Sequence, residues 1–319
     1  MPARSKQRLC AFAFVLAASL GAPCAAGVAA TAPLPPQRIA PGVYVVPGTG
    51  GEIAPANLGR IANVAFVVGP RGVVVVESGV SFRHGEAIIE AVRTTTRRPI
   101  VLVVITHAAQ EVLFGAAAFQ ARGIPVLMHR DAAALMAARC ETCLRTLEAT
   151  LGVQAMVGTR VATPDRVTMD TATIDVNGRP LKLIAPRSAD SPGSIAVYDA
   201  TTRTLIAGGL VTIDRIPDMR DADGEPWREG LAALAATRCR HLVPALGKLG
   251  RCADIGRLDG YFAALDERVH DLVASGVGLA DVAQRAELRQ FAAWDGYRSL
   301  QAANANRAYL AVERKGFGN

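Results

Sequence analysis

The sequence predicts an α/β protein of four layers, in which two sheets pack face to face and helices cover both outer surfaces. Three observations support this prediction. Strand-like segments come in two batches, and a helical stretch follows each batch. Half of the 319 residues are hydrophobic but only 5% are aromatic, so Ala, Val and Leu must fill the core. No tandem repeat or low-complexity tract interrupts the chain, which favours one large domain.

The first batch of strands lies in the N-terminal half of the chain. Apolar runs predict five strands: 43–46, 65–68, 72–77, 101–105 and 125–128. The turn Gly69-Pro70-Arg71-Gly72 makes the second and third of these a hairpin. The run at 101–105 is rich in β-branched residues, which is typical of a strand buried on both faces. Helical periodicity predicts three helices: 84–92, 110–122 and 130–151.

The second batch follows residue 170. Apolar runs predict four strands: 171–176, 180–185, 194–198 and 204–207. Asn177-Gly178 favours a type I′ turn and joins the first two as a hairpin. Helices are predicted over 227–236 and 258–274, and the tail after them is mostly helical.

Residues 1–30 have the build of a secretory signal peptide. A basic start is followed by an apolar run over 9–20 and by small residues, with cleavage predicted after Ala26 or Ala30. A retained membrane anchor and a lipoprotein attached at Cys24 are the less favoured alternatives, because the apolar run is short and Pro23 fits a lipoprotein poorly. The sequence thus predicts a periplasmic or secreted protein with no membrane span after processing.

The charge of the mature chain excludes some partners. Removing the leader takes away three positive charges, so the formal net charge falls from +7 to about +4. The arginines are scattered and few aromatic residues lie among them, so no nucleic-acid partner is expected. A modest basic surface remains that could attract an acidic partner or an anionic small molecule.

Four of the six cysteines remain after export. An even number in an oxidising compartment favours disulfides, and Cys239 and Cys252 flank a short segment across which they could pair. Cys140-Glu-Thr-Cys143 has the spacing of a redox pair or of half a zinc site. No second pair has this spacing, so we expect a small structural disulfide there, with thiol exchange as the alternative.

One segment points to chemistry: Thr106-His107-Ala-Ala-Gln-Glu-Val-Leu-Phe-Gly115, which follows a buried strand. It resembles the metal loop of the metallo-β-lactamase superfamily, whose pattern there is His-x-His-x-Asp-His. Further matching pieces are Glu77-Ser78-Gly79, Phe119 to His129, Ser191 to Ser194, Leu205 to Gly209 and His241 to Gly247. The resemblance covers residues 35–250. It implies a four-layer αββα sandwich of the metallo-β-lactamase type, with residues 251–319 as a helical C-terminal extension packed on it.

In that superfamily, imidazoles and carboxylates hold one or two zinc ions, which acidify a bound water for attack on a carbonyl or ester. Of the seven ligand positions, only His107 keeps the expected residue. Glu111 and Asp190 retain a carboxylate. The other four positions have no side-chain donor: Ala109, Val112, Gly209 and Leu246. The resemblance therefore implies that the dinuclear site is lost; a weak mononuclear zinc site of His107, Glu111 and Asp190 stays open, and no other cofactor is expected.

The same three residues are the candidate catalytic groups, and each has a structural alternative. His107 could form a local hydrogen bond only. Glu111 opens a helix, where a carboxylate interacts well with the helix dipole. Asp190 precedes Ser191-Pro-Gly and could serve a turn. The remaining histidines near the motifs are predicted to be structural: His84, His129 and His241.

Several features are similar to an exported branch of the superfamily, the quinoprotein-relay-system or sulfur-oxidation-related zinc metallohydrolases. These are the leader, Cys140 to Leu144, Asp190 to Asp199 and Asn304 to Glu313. This likeness implies a periplasmic quinoprotein dehydrogenase or its cytochrome as partner. We expect a pseudoenzyme whose pocket, having lost donors, binds a partner or an apolar small molecule. The alternative is a hydrolase of an ester, lactone or thioester with a remodelled mononuclear or metal-free site, in which His107 is the general base.

Overall fold

The computed structural model describes residues 34–175 and 177–317, and within them the chain folds around two sheets. The predicted signal peptide lies outside the described residues. The first sheet, sheet A, has seven strands in sequential order: β1 (Gln37–Ala40), β2 (Val43–Val46), β3 (Val64–Val68), β4 (Val73–Val76), β5 (Ile100–Val104), β6 (Val126–His129) and β7 (Arg166–Thr168). Sheet B has five strands in the order β12-β11-β10-β9-β8: β8 (Ala172–Ile174), β9 (Leu181–Ile184), β10 (Ala196–Asp199), β11 (Thr204–Ile213) and β12 (His241–Gly247).

Helices cover the outer face of each sheet. Those over sheet A are α1 (Phe82–Thr95), α2 (Gln110–Leu113), α3 (Ala116–Gln120), α4 (Arg130–Leu151) and α5 (Val153–Met156). Those over sheet B are α6 (Gly224–Ala235), α7 (Ile255–Ala274), α8 (Leu279–Arg285) and α9 (Tyr297–Phe317). One apolar cluster fills each helix–sheet layer, and a third lies between the sheets. The predicted four-layer αββα sandwich with a helical C-terminal region is confirmed.

The central strands show why apolar runs predicted this sheet. All four residues of β4 are completely buried, because it lies between β3 and β5 and is covered on both faces. The hairpin of β3 and β4 is antiparallel, and its turn is closed by the Gly69 N–H, which donates to the Gly72 carbonyl at 2.8 Å. The hairpin of β8 and β9 is also confirmed.

The predicted single helix over 110–122 is wrong, since α2 and α3 are separate. The carbonyl of Val112, which a continuous helix would use, accepts instead from the Ser78 N–H at 2.8 Å and the Ser78 hydroxyl at 2.7 Å. Gly115 then passes so close to Ser78 that a Cβ at this glycine would lie 1.8 Å from the Ser78 carbonyl oxygen. Tertiary contact with the end of β4 therefore breaks the helix.

The strand predicted over 204–207 is also too short. β11 continues to Ile213 because it pairs in parallel with β12 along this length, with irregular register around Gly208. Gly208 has a φ of 57°, a left-handed conformation that glycine adopts without strain. The edge strands β1 and β7 were not predicted, since neither is an apolar run.

The cysteines divide into one disulfide and one dithiol. Cys239 and Cys252 form a disulfide with a Cα–Cα distance of 5.1 Å, as their spacing allowed. The disulfide expected between Cys140 and Cys143 is wrong, because both are free thiols on α4. Cys140 is buried in the helix–sheet layer and Cys143 is partly exposed.

A buried ion pair joins the two sheets. The Arg179 guanidinium donates to the Asp199 carboxylate at the end of β10, with an Nε–Oδ1 distance of 2.9 Å. It also donates to the carbonyl of Pro41, between the first two strands of sheet A, at 3.0 Å. Both side chains of the pair are at most 10% exposed. In the described part of the chain, the structure contains no helix with the length and apolar character of a membrane span.

Candidate functional site

A cleft of about 150 Å3 opens between the two sheets, where β5 ends and α2 begins. Its inner end is formed by His107 and by Gly209 of β11. Ala245 and Leu246 at the end of β12 close one side, and Trp227 of α6 lies on another. The segments that the sequence marked as a metal loop thus meet at one place.

Three side chains form a hydrogen-bonded relay beneath this cleft. The Thr106 hydroxyl lies 2.8 Å from His107 Nδ1 and also hydrogen-bonds to the Glu77 carboxylate. The Thr106 N–H donates to the second oxygen of that carboxylate at 3.3 Å. Since the Glu77 carboxylate accepts from the Thr106 hydroxyl, Thr106 accepts from the Nδ1–H of His107. The imidazole is therefore fixed with Nε2 as its free nitrogen.

The relay depends on unusual backbone positions. Glu77 has a φ of 74°, in the left-handed region that a glutamate occupies only at a cost of about 1–3 kcal/mol. Its side chain is buried and directed at Thr106. Gly208 makes room for the same threonine, since a Cβ at this position would lie 2.0 Å from the Thr106 hydroxyl. Backbone strain that is maintained by the surrounding contacts is a common feature of functional sites.

Asp190 and His107 converge over Gly209. A Cβ at Gly209 would lie 2.4 Å from Asp190 Oδ2 and 2.9 Å from His107 Nε2. The other oxygen of Asp190, Oδ1, is buried and has no hydrogen-bond partner within the described residues. Ser191 donates to Oδ2 at 3.4 Å and lies 2.9 Å from the Ser194 hydroxyl. An unpaired buried carboxylate oxygen in a cleft is an acceptor for a bound ligand or water.

The charges around His107 favour the protonated form of its imidazole. Burial alone would lower the pKa of the imidazole, but the neighbouring carboxylates of Glu77, Asp190 and Glu111 outweigh that effect and raise the pKa to about 9. Burial also raises the pKa of Asp190, against the opposing charge of His107. At neutral pH, Nε2 therefore presents a proton to the cleft.

The lining of the cleft carries more charged side chains than the sequence suggested. Arg220 donates to Asp218 at 2.5 Å, and this bond raises the pKa of the guanidinium. Asp221 is paired with Arg139 of α4. Glu111 also lines the cleft, so the expectation of an apolar pocket holds for only part of its wall.

The structure brings together six of the seven positions identified from the sequence. The residues that line the cleft are His107, Ala109, Glu111, Asp190, Gly209 and Leu246. Val112, the seventh, is completely buried in the adjacent helix–sheet layer.

Of the three histidines predicted to be structural, His84 and His129 bond to nearby backbone groups, whereas His241 lines a different cleft. His84 Nδ1 accepts from the Val80 N–H at 3.2 Å, and burial lowers the pKa of this imidazole to about 3. His129 accepts from the Asp131 N–H at the start of α4 at 3.1 Å. Both belong to local backbone bonding outside the cleft.

Sequence reasoning missed several residues of the site. Glu77 was noted only as a motif fragment, although a lone carboxylate ending a run of four valines is itself a signal of a buried polar role. Thr106 was not singled out. The charged lining residues Asp218, Arg220 and Asp221 come from a loop with no periodic pattern, so only the fold reveals their place in the cleft.

A family model described as the metallo-β-lactamase superfamily matches residues 58–246, more than half of the chain. The chain belongs to the metallo-β-lactamase superfamily. The matched segment includes every residue that lines the cleft, from His107 to Leu246. A comparison with curated proteins gives no match.

Solved structures with the same fold include hydrolases of two kinds. A metallo-β-lactamase from Pontibacter korlensis is 19% identical, with a TM-score of 0.59, and the match covers 72% of this chain and 98% of that one. FIM-1 from Pseudomonas aeruginosa, in its mono-zinc form, is 17% identical, with a TM-score of 0.58 and coverage of 72% and 95%. The inverting sec-alkylsulfatase Pisa1 from Pseudomonas sp. is 16% identical, with a TM-score of 0.67 and coverage of 87% and 50%. At these identities the similarity establishes the fold alone.

The residues of this superfamily member do not fit a zinc ion. In residues 34–175 and 177–317, no group of three His, Cys, Asp or Glu side chains is placed to hold a metal. The Nδ1 atom of His107 is bonded to Thr106, which leaves one nitrogen free. The space that an aspartate at position 209 would need is filled by Asp190 and His107. A catalytic zinc needs about three protein ligands, and this cleft does not supply them in a converging set.

Proposed function

We propose that this protein is a degenerate member of the superfamily that binds a small ligand at the old metal cleft instead of hydrolysing a substrate with zinc. The observation that supports this most is that the ligand positions meet in space, yet Ala109, Gly209 and Leu246 present no donor there. The cleft is therefore retained while its metal chemistry is removed.

The charges of the cleft favour a ligand that accepts a hydrogen bond from His107 and donates one to Asp190. The imidazolium offers its Nε2 proton, and Asp190 Oδ1 lacks a partner. At about 150 Å3 the cleft is smaller than a typical ligand pocket of about 300–1,000 Å3, so it accommodates one polar group of a larger molecule. Trp227 and Leu246 supply an apolar wall for the rest.

Metal content decides between this proposal and zinc hydrolysis. The chain is purified without chelators, incubated in turn with zinc, manganese and iron, desalted and analysed by mass spectrometry, beside His107→Ala as a matched variant. We expect less than about a tenth of an equivalent in both proteins. One or two equivalents in the natural chain, lost in His107→Ala, would overturn the proposal and support a site built from His107, Glu111 and Asp190.

A metal-free hydrolase of an ester, lactone or thioester is the second candidate, and the Glu77–Thr106–His107 relay favours it. A general base must be neutral, and a pKa of about 9 leaves only about one imidazole in a hundred neutral at pH 7. Hydrolysis by this route would rise with pH up to about 9 and would be lost in His107→Gln. Rates that are negligible at pH 9, or that are equal in the variant, exclude it.

We also propose an exported location and a periplasmic partner, a quinoprotein dehydrogenase or its cytochrome. The support is the basic and apolar start of the chain and the sequence features shared with that branch. N-terminal sequencing of the exported protein tests the first, with a start near residue 27 or 31 expected. Titration calorimetry with a purified quinoprotein dehydrogenase and its cytochrome tests the second, and no heat with either would refute it.

A further inference from the structure

A second cleft, much larger than the first, lies at the opposite end of β12. Its volume is about 670 Å3. It is formed by β1 at the edge of sheet A, by the beginning of β12 at the edge of sheet B, and by the segment that follows β12. We call it the basic cleft. Because β12 lines this cleft with its first residues and the cleft at His107 with Ala245 and Leu246 near its end, the two clefts are separate.

The charged side chains of the basic cleft all have the same sign. Arg38, Arg240 and Arg251 line it together with His241, and no carboxylate does. None of the three guanidinium groups forms an ion pair within residues 34–175 and 177–317. Burial and the charge of Arg240 lower the pKa of His241. Concentrated positive charge without a counter-charge attracts anions.

The disulfide fixes two of these arginines. Arg240 directly follows Cys239 and Arg251 directly precedes Cys252, so the bridge holds the two arginines near each other. The chain between them is closed by a pair of backbone bonds between Leu242 and Gly250, at 2.8 and 2.9 Å. The backbone positions of the two arginines are therefore fixed before any ligand arrives, which lowers the entropic cost of binding.

The floor of the basic cleft is apolar. Ile39 and Leu249 are partly buried and Leu242 is buried, and all three line the cleft together with the arginines. A hydrated inorganic ion gains little from such a floor, whereas a ligand with an apolar body buries surface on it. Guanidinium groups bind phosphate, sulfate and carboxylate through bidentate hydrogen bonds.

We propose that the basic cleft binds a small organic polyanion, with an apolar or aromatic body and at least two phosphate, sulfate or carboxylate groups. This site is independent of the function proposed above for the cleft at His107. Its volume lies within the range of ordinary ligand pockets.

Fluorescence anisotropy with pyrene-1,3,6,8-tetrasulfonate as the probe tests this proposal on the full chain at low salt. Because the double variant loses two charge-assisted contacts to the probe, we expect at least tenfold weaker binding in Arg240→Gln/Arg251→Gln. The control is Arg93→Gln/Arg97→Gln, which removes two exposed arginines near the end of α1 and should change the affinity less than twofold. The midpoint of thermal unfolding confirms that both variants fold.

Two outcomes would overturn the proposal. One is no saturable binding to the natural chain. The other is equal weakening in the two double variants, which would mean that only net charge matters. A competition experiment distinguishes the contribution of the apolar body from that of the anionic groups. Naphthalene-1,5-disulfonate should displace the probe at a lower concentration than inorganic pyrophosphate does. If pyrophosphate displaced it equally well, the apolar floor would have no role and the organic ligand class would be wrong.

Discussion

The charge of His107 makes a sharp prediction about how stability varies with pH. The folded pKa of about 9 lies above the unfolded value of about 6.5. The stabilisation from this group is therefore fully present below about pH 6.5 and is lost as the pH rises through 9. The difference corresponds to about 3 kcal/mol at 1.36 kcal/mol per pKa unit, and the imidazole is buried enough for this conversion to apply.

Urea unfolding at pH 6, 7.5, 9 and 10 measures this effect, with His107→Gln as the comparison. Other groups that titrate near pH 9 to 10 are common to both proteins, so the difference between the two profiles isolates His107. The natural chain should lose about 3 kcal/mol more than the variant between pH 6 and pH 10. Parallel profiles would show that the carboxylates of Glu77, Asp190 and Glu111 do not hold the imidazolium, and the binding proposal would lose its proton donor.

Three further predictions concern packing and covalent state. Gly209→Ala should destabilise the fold by about 1–3 kcal/mol in urea unfolding, because the added Cβ would lie 2.4 Å from Asp190 Oδ2. The control is Gly256→Ala in α7, which has open space around it and should be neutral or stabilising. Asp199→Ala should cost about 3–5 kcal/mol by the same measurement, since it leaves a buried guanidinium unpaired, and a loss under 1 kcal/mol would contradict that. In a chain without residues 1–30, thiol titration with a disulfide reagent should count two thiols after unfolding. In the native state Cys143 should react before Cys140, because burial and the neighbouring thiol raise the pKa of Cys140 to about 12. A count of zero would mean that this pair is a disulfide.

Local sequence patterns predicted the elements whose environment is uniform. The strand at Val73–Val76 and the helix at Arg130–Leu151 are both found where their apolar runs and periodicity placed them. Prediction failed where a distant segment forms a hydrogen bond with a backbone group that a helix would otherwise use. Ser78 donates to the carbonyl of Val112, and the predicted helix is interrupted there. No local pattern records a bond between residues 34 positions apart.

The sequence by itself determined which side chains lack a donor atom for zinc; Leu246, for example, has none wherever it lies. Only the tertiary structure decided which groups meet in the cleft. Glu77 and Thr106 are 29 residues apart, and their hydrogen bond exists because β4 and β5 are neighbours in one sheet. Likewise, Asp190 reaches His107 only because Gly209, on a strand of the other sheet, leaves the space empty. Residue types fix which chemistry is available, whereas long-range packing fixes which groups meet, and packing depends on the whole chain.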